Sequence, residues 1–240
     1  MAAPELILRE DLADAAAVAR DQIVESARLA IAARGRFRLC VDGGRPTRKL
    51  LELLAAAPGL LDWSHTDLFL GDERRVPVGD PLSNRALVER LLTDRLPVKP
   101  ALFAPEGAAP DGVAAAARFE ALLSEKLPDG QFDLMLLGLG PDGHTASLFP
   151  GSPALDEQQR RVVAVDAPTT VEPHVGRITL TPKALLASRS LILFAVGVEK
   201  RDALRRLLAK DGAESETPAR LIRRFAGTPI VIADKAAAEN

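Results

Sequence analysis

The segment FDLMLLGLGPDGHTASLFP, residues 132–150, decides how the rest of the chain is interpreted. Its apolar run Leu134–Leu137 stops at GLGPDG, residues 138–143, which is typical of a buried strand that enters a tight turn. His144 follows the turn at once. Because ligands bind at the carboxyl ends of strands in open parallel sheets, the pattern predicts an imidazole at the functional edge of such a sheet.

Helices and strands alternate on both sides of this segment. Upstream, the pattern predicts helices at residues 11–34, Arg48–Ala57, Ser83–Leu92 and Val113–Leu127, and strands at Phe37–Val41 and Thr66–Leu70. Downstream, it predicts strands near Arg161–Val165, Arg177–Leu180, Leu191–Val196 and Pro229–Ala233, and helices near Pro182–Ala187, Glu199–Ala209 and Ala219–Phe225. Residues 97–110 read as a surface loop. We expect a three-layer α/β/α fold with a mostly parallel, Rossmann-like sheet, and one domain spanning residues 1–240.

Composition narrows the class of protein. The 240 residues are 47% hydrophobic and carry a net charge of -2, so we expect neither nucleic acid nor an anionic membrane as a partner. No apolar run approaches the ~18 residues of a membrane helix. Cys40 is the single cysteine, which excludes internal disulfides and a cysteine-built metal site. We expect a cytoplasmic monomer.

Two further strand ends carry candidate binding groups. In Asp42-Gly43-Gly44-Arg45, paired glycines allow backbone N–H groups to approach a ligand, and the helix that follows favours an anion. A plain strand-to-helix turn is the alternative. The second block, GDERR at residues 71–75, places charges just past a buried strand, which is costly unless they are exposed or employed. A solvated salt-bridge cluster is the alternative there, and Asn84 also fits a simple helix cap.

The histidine turn has three competing readings. Its glycines match the dinucleotide pattern GxGxxG, but Pro150-Gly151 ends any helix too early for a dinucleotide site. His144 is either catalytic or a structural histidine, whereas His65 and His174 lie in polar, loop-like contexts and are predicted to be non-catalytic. The three histidines are far apart and no carboxylate cage accompanies them, so we predict no metal site.

Taken together, four segments resemble the 6-phosphogluconolactonase family. They are residues 138–150, residues 71–74 with Ser83-Asn84 downstream, GVEK at 197–200 and RITLT at 177–181. The resemblance extends from about residue 10 to residue 235. It implies a fold similar to glucosamine-6-phosphate deaminase and ribose-5-phosphate isomerase. It also implies hydrolysis of 6-phospho-D-glucono-1,5-lactone to 6-phospho-D-gluconate, the second step of the oxidative pentose phosphate pathway, without metal or organic cofactor.

A lactone is an activated ester, so a base with a pKa near neutrality suits its hydrolysis. We expect His144 to activate water and later to return the proton to the leaving ring oxygen. We expect Asp142 to orient the loop or the imidazole, and Arg74 to stabilise the oxyanion, with Asn84 as a weaker polar partner.

The phosphate is expected at the glycine turn, clamped by Arg177 and Lys200. The full set of predicted substrate contacts is Gly43, Gly44, Arg45, Asp72, Asn84, Gly140, Arg177 and Lys200. Relatives usually carry S-G-G-S-T-P at the glycine turn, whereas this chain has Asp42 and Arg45 in place of the two serines. We therefore expect Arg45 to add a phosphate contact and Asp42 to orient it.

Other functions remain open at this stage. Glucosamine-6-phosphate deaminases share the D-G-H core and a lysine block, but they follow the histidine with a segment that carries a catalytic acid. This chain has TASLF at residues 145–149 and no acid there. A non-catalytic sugar-phosphate sensor and a nucleotide-binding module are further alternatives, which a lactonase assay and a titration with NAD would separate.

Overall fold

The computed structural model describes residues 3–239. The strands are β1 (Glu5–Arg9), β2 (Phe37–Val41), β3 (Thr66–Leu70), β4 (Asp72–Arg74), β5 (Ala101–Phe103), β6 (Phe132–Gly138), β7 (Val162–Val165), β8 (Arg177–Leu180), β9 (Ser188–Ala195) and β10 (Ile230–Asp234). The α-helices are α1 (Leu12–Arg34), α2 (Arg45–Ala56), α3 (Asn84–Leu91), α4 (Gly112–Lys126), α5 (Pro182–Leu185), α6 (Arg201–Leu208) and α7 (Lys235–Ala238). None of these helices is long and apolar enough to cross a membrane.

Seven strands form one parallel sheet in the order β1-β10-β9-β6-β2-β3-β5. In the central strand β6, Met135 and Leu137 face one apolar cluster, whereas Leu134 and Leu136 face the other. This alternation follows from the twofold period of a strand. Helices α1 and α2 contribute to the second cluster, and α4 and α6 contribute to the first. The predicted three-layer α/β/α architecture is confirmed.

A second, three-stranded antiparallel sheet in the order β4-β8-β7 stands beside the parallel one. The strands predicted near Arg161–Val165 and Arg177–Leu180 are present as β7 and β8, but they belong to this small sheet, which the sequence pattern did not predict. The physical reason lies at Gly71, where the chain leaves β3 and enters β4 directly, so β4 pairs with β8 outside the parallel array. This small sheet forms the support on one side of the site.

Several elements differ from the sequence prediction. The edge strands β1 and β5 were missed, because β1 is largely exposed and β5 is a three-residue strand inside the loop predicted at residues 97–110. The helix predicted at Glu199–Ala209 is a 3-10 turn, Val198–Lys200, followed by α6. The helix predicted at Ala219–Phe225 is a 3-10 helix, Pro218–Arg224. Helix α2 begins at Arg45, three residues earlier than predicted, which moves its N-terminus up to the glycine turn.

Candidate active site

The carboxyl ends of β2, β6 and β9 open into a cavity of about 480 Å³. Most of the predicted site residues line it: Gly43, Gly44, Arg45, Asp72, Arg74, Gly140, His144 and Lys200. Among the residues that the structure describes, three predicted site residues do not line the cavity: Asp142, Asn84 and Arg177. The sheet therefore brings the glycine turn, the acidic block and the histidine turn together, as the carboxyl edge of a parallel sheet does.

His144 and Asp142 form a hydrogen-bonded pair on one wall. The imidazole Nδ1 lies 2.5 Å from Asp142 Oδ1, and the same oxygen accepts from the His144 backbone N–H at 3.1 Å. Burial raises the pKa of Asp142, but the hydrogen bonds and the electrostatic interaction with His144 outweigh it and hold this pKa below its usual value. Because Asp142 occupies Nδ1, Nε2 is the nitrogen left to accept a proton.

Backbone packing fixes the orientation of the imidazole. A Cβ built at Gly140 would lie 2.1 Å from His144 Nδ1, so the ring rests directly on the Gly140 backbone and any side chain there would displace it. Phe149 covers the ring with a centroid separation of 4.9 Å. The Gly140 N–H donates to the His144 carbonyl at 2.7 Å. Only glycine at position 140 permits this close approach.

The two acids of the segment 71–75, Asp72 and Glu73, are buried and accept hydrogen bonds. Glu73 is 2% exposed and accepts from the backbone N–H groups of Arg74, Asn84 and Arg85, so burial raises its pKa while these donors oppose the rise. Asp72 accepts from Asn84 Nδ2 at 2.8 Å. The alternative of a solvated salt-bridge cluster is wrong, because these acids anchor the start of α3 to β4. Asn84 lies within α3 behind the cavity wall and holds Asp72 in place.

Arg74 and Arg177 are neighbours in the small sheet, but they face different surroundings. The β4–β8 register pairs them, and Arg74 Nη1 donates to the Leu82 carbonyl at 2.7 Å. Arg177 is 3% exposed, and its Nη2 donates to the Pro173 carbonyl at 2.8 Å. Burial, together with the charge of Arg74, lowers the pKa of Arg177. Arg177 therefore lies beside Arg74 in the small sheet and is not among the residues that line the cavity.

The part of the cavity formed by the glycine turn, Glu199 and Lys200 is suited to an anion. No side chain caps the N-terminus of α2 within residues 3–239, so the backbone N–H groups of Arg45 and Thr47 are left for a ligand, whereas Pro46 between them has no N–H. Arg45 Nη2 lies 3.0 Å from Glu199 Oε1, and Lys200 follows Glu199 on the same wall. Burial and the charge of Arg45 lower the pKa of Lys200, whereas Glu199 opposes the shift. The expectation that Asp42 orients Arg45 was wrong, because the paired acid is Glu199.

Sequence reasoning missed three features of the lining: Glu199, Thr47 and the segment 170–172. Glu199 had a signal, since it precedes Lys200 directly. Asp42, which stood out as a departure from the usual serine, also lines the cavity, but its predicted partner was wrong. The segment 170–172 carried none, because it lies in the connection between β7 and β8.

The other two histidines, His65 and His174, do not line this cavity in the described structure. His65 pairs with Asp62 at 2.8 Å near the amino end of β3. His174 Nδ1 lies 2.7 Å from the Pro168 carbonyl. Within residues 3–239, no three histidine, cysteine, aspartate or glutamate side chains are arranged to hold a metal ion.

Fold and site together define a class: α/β proteins in which an imidazole–carboxylate pair and a helix N-terminus without a side-chain cap meet at one cavity, at the carboxyl edge of a parallel sheet. Residues 10–231 match the family model described as glucosamine-6-phosphate isomerases/6-phosphogluconolactonase. The chain belongs to this family.

Relatives within the family narrow the comparison. A 6-phosphogluconolactonase of Streptomyces coelicolor is 36% identical, covering 99% of this chain and 94% of the relative. The solved 6-phosphogluconolactonase of Shewanella baltica OS155 is 31% identical, with a TM-score of 0.86, covering 96% of this chain and 97% of that one. A monomeric glucosamine-6-phosphate deaminase is 19% identical with a TM-score of 0.84, covering 97% of this chain and 98% of that one, and this likeness concerns the fold alone.

Proposed function

We propose that this protein hydrolyses 6-phospho-D-glucono-1,5-lactone to 6-phospho-D-gluconate, the second step of the oxidative pentose phosphate pathway. It is a lactone hydrolase. The observation that carries this proposal is the 2.5 Å contact between His144 Nδ1 and Asp142, in a cavity that also receives the uncapped N-terminus of α2. Relatives named 6-phosphogluconolactonase over nearly the whole chain support it.

His144 is the general base. Asp142 accepts a hydrogen bond from the Nδ1–H group of His144. The neutral imidazole is thereby held in the tautomer whose lone pair is on Nε2. Nε2 takes a proton from water as the water oxygen attacks the lactone carbonyl, and the carbonyl electron pair moves onto oxygen. The imidazolium that forms is stabilised by the carboxylate of Asp142.

Arg74 stabilises the oxyanion of the tetrahedral intermediate. It is the cation on the cavity wall supplied by the small sheet, and the Leu82 carbonyl and the neighbouring Glu73 fix its position. When the intermediate collapses, the bond from the carbonyl carbon to the ring oxygen breaks. His144 returns its proton to that oxygen, which becomes a hydroxyl of the open-chain acid. Arg177 pairs with Arg74 in register across the small sheet and does not line the cavity, so we propose that it acts through the placement of β4 and not by a direct phosphate contact.

The phosphate binds at the glycine turn. The backbone N–H groups of Gly44, Arg45 and Thr47 lie at the start of α2, and Arg45 and Lys200 add two positive charges. Glu199 holds Arg45 until the substrate phosphate takes over that contact. Because the chain has no net positive charge, these local groups have to supply most of the attraction.

The deciding experiment is a lactonase assay on freshly generated substrate with spontaneous hydrolysis subtracted. We expect rapid production of acid from the phosphorylated lactone, much slower turnover of unphosphorylated gluconolactone, and no ammonia from glucosamine 6-phosphate. Ammonia release would favour a deaminase, and binding of the sugar phosphate without turnover would favour a sensor. The proposed steps need no metal, since a lactone is already activated, so activity is expected to persist after EDTA treatment and desalting.

We also propose a single-domain monomer that works in the cytoplasm and binds neither nucleic acid nor membranes. The net charge of -2 supports the absence of a nucleic-acid partner. Sedimentation equilibrium across a hundredfold range of concentration tests the monomer, and a mass that rises with concentration would contradict it.

A further inference from the structure

Asp42 is a buried carboxyl group between the two ends of the cavity. It follows β2 directly, is 4% exposed and lines the cavity. Its Oδ2 accepts from the backbone N–H of Gly138 at 3.3 Å and from that of Ala146 at 3.2 Å. Its Oδ1 is buried without a hydrogen-bond partner among the described residues. None of the proposed chemical steps uses this side chain.

The two amides that Asp42 binds belong to the strand and loop that carry His144. Gly138 ends β6, and Ala146 lies two residues beyond the histidine. Ala146 has a φ of 47°, and it is the only non-glycine residue with a positive φ in the described structure. An alanine in this region is uncommon because its Cβ crowds the backbone, so surrounding contacts have to hold it there. The Asp42 carboxyl is one such contact, acting on the Ala146 amide itself.

The carboxyl also touches the end of the neighbouring strand. A Cβ built at Gly71 would lie 2.2 Å from Asp42 Oδ1, so the backbone that follows β3 packs directly against this oxygen. Asp42 therefore contacts the carboxyl ends of three adjacent strands, β2, β3 and β6, as well as the loop after His144. A single side chain fixes these elements relative to one another.

We propose that Asp42 is a positioning residue for the reaction, whose carboxyl group sets the placement of the His144 loop relative to the glycine turn that receives the phosphate. The inference rests on the proposed function, because it assigns the two loops to the base and to the phosphate. It distinguishes this chain from the usual serine, whose hydroxyl oxygen is one bond closer to the backbone than the carboxyl oxygens of aspartate.

The kinetic signature of this role differs from that of a binding residue. The phosphate contacts remain intact without the carboxyl, so the affinity for substrate changes little. The base shifts relative to the carbonyl carbon, and misplacement by about 1 Å costs roughly a hundredfold in rate. A positioning role therefore lowers kcat and leaves KM nearly unchanged.

Three substitutions at position 42 test the idea. Asp42→Ala removes the acceptor, Asp42→Ser shortens it, and Asp42→Asn keeps one oxygen that can accept from both amides. We expect kcat to fall by roughly ten- to a hundredfold in Asp42→Ala with KM within about threefold of wild type, less in Asp42→Ser, and least in Asp42→Asn. If Asp42→Ala does not fold, the comparison between Asp42→Ser and Asp42→Asn carries the test.

Asp133→Asn is the matched control. Asp133 is 4% exposed, lies at the amino end of β6, and accepts from the Arg38 backbone N–H at 2.8 Å and from Arg34. It is a buried aspartate that holds a backbone amide at the opposite edge of the same sheet. We expect this variant to lower Tm without lowering kcat per folded molecule. An equal loss of kcat in Asp133→Asn and Asp42→Ala would overturn the positioning role and leave a general structural one.

A readout that does not depend on turnover completes the test. The chain has three histidines, so imidazole 1H–15N spectra are simple, and loss of a signal in His144→Asn assigns the His144 ring. We expect the His144 resonances to shift in Asp42→Ala and to stay in place in Asp133→Asn. Unchanged resonances, or a loss confined to KM, would overturn the inference. Shifted resonances in a protein whose wild type lacks lactonase activity would instead overturn the proposed function.

Discussion

The two ends of the cavity are built in different ways. At the base end, the side chains of His144 and Asp142 are 22% and 17% exposed, and the ring is packed between Gly140 and Phe149. At the phosphate end, the paired side chains of Arg45 and Glu199 are 60% and 45% exposed. The base end is held by backbone and aromatic contacts, whereas the phosphate end is a largely exposed ion pair beside a helix N-terminus.

This difference suits the task of each end. A general base has to meet a water molecule within a few tenths of an ångström, so its geometry is held by backbone and aromatic contacts. An exposed ion pair contributes only ~0–1 kcal/mol, so a doubly charged phosphate displaces Glu199 from Arg45 at little cost. The comparison predicts large, uniform losses from changes at the base end and smaller, substrate-specific losses from changes at the phosphate end.

The largest expected effect is at His144. His144→Asn removes the base, so kcat/KM should fall by ~10²–10⁴ while Tm changes little. His65→Asn is the matched control, because His65 also holds an aspartate through Nδ1, at 2.8 Å, but away from the cavity. Stopped assays with the spontaneous rate subtracted measure both variants. Near wild-type activity in His144→Asn would contradict its role as the base.

Lys200→Ala tests the phosphate end. A charge-assisted hydrogen bond contributes about 1.5–3 kcal/mol, so kcat/KM for the phosphorylated lactone should fall by roughly ten- to a hundredfold. Hydrolysis of unphosphorylated gluconolactone should barely change. Arg177→Ala gives the contrast: Arg177 is buried beside Arg74 in the small sheet, outside the cavity lining, so the losses of kcat/KM with the two substrates should be equal. Equal losses with both substrates in Lys200→Ala would assign Lys200 to the reaction centre or to the fold.

Arg45→Ser should have a milder effect. The Arg45 side chain is mostly exposed and already engaged with Glu199, so its removal should raise KM by about threefold and leave kcat unchanged. A full kinetic profile at low and moderate ionic strength measures this. A collapse of activity would instead identify Arg45 as the principal phosphate ligand.

The smallest expected effects are on how the free energy of unfolding changes with pH. These effects have opposite signs at Asp142 and Asp42. Asp142 has a lowered pKa, so its stabilising contribution is present near neutrality and disappears as pH falls through the folded-state value. Asp142→Asn should therefore unfold more easily than wild type at pH 7, and the difference should vanish in acid.

Asp42 behaves in the opposite way. Burial, together with the charge of Asp72, raises the pKa of Asp42 well above its usual value. Its two amide donors and the charge of Arg74 oppose this rise. The Cys40 thiol is a further titratable group that interacts with Asp42. The wild type should lose stability as pH rises through the folded-state value, so Asp42→Asn should gain stability relative to wild type with increasing pH. Urea unfolding of the three proteins from pH 3 to pH 9 measures both trends, and parallel curves would contradict them.

The sequence was informative where apolar runs end at glycines. Strand β6, the histidine turn and the glycine turn were predicted because burial and turn chemistry are local properties. Edge strands β1 and β5 were missed because little of their surface is buried. The separate sheet of β4, β7 and β8 was missed because strand pairing is a long-range property that periodicity does not encode.

Within the site, the sequence predicted which residues lie near the cavity but not which neighbours their side chains contact. Residue types near the cavity were predicted well, since the motifs place them at strand ends. The sequence assigned Arg177 to the phosphate and Asp42 to Arg45, but their actual neighbours are Arg74 on the adjacent strand and the Ala146 amide. Both neighbours lie far away in the chain, so only the tertiary structure reveals them.

The position of β10 in the sheet constrains the order in which the site is assembled during synthesis. This strand lies between β1 and β9, although among the described strands β1 is made first and β10 last. At its carboxyl end, Asp234 accepts from the Gly197 backbone N–H at 3.0 Å and so anchors the turn that carries Lys200. The turn that carries Lys200 therefore receives this anchor only after every other strand of the parallel sheet has been made.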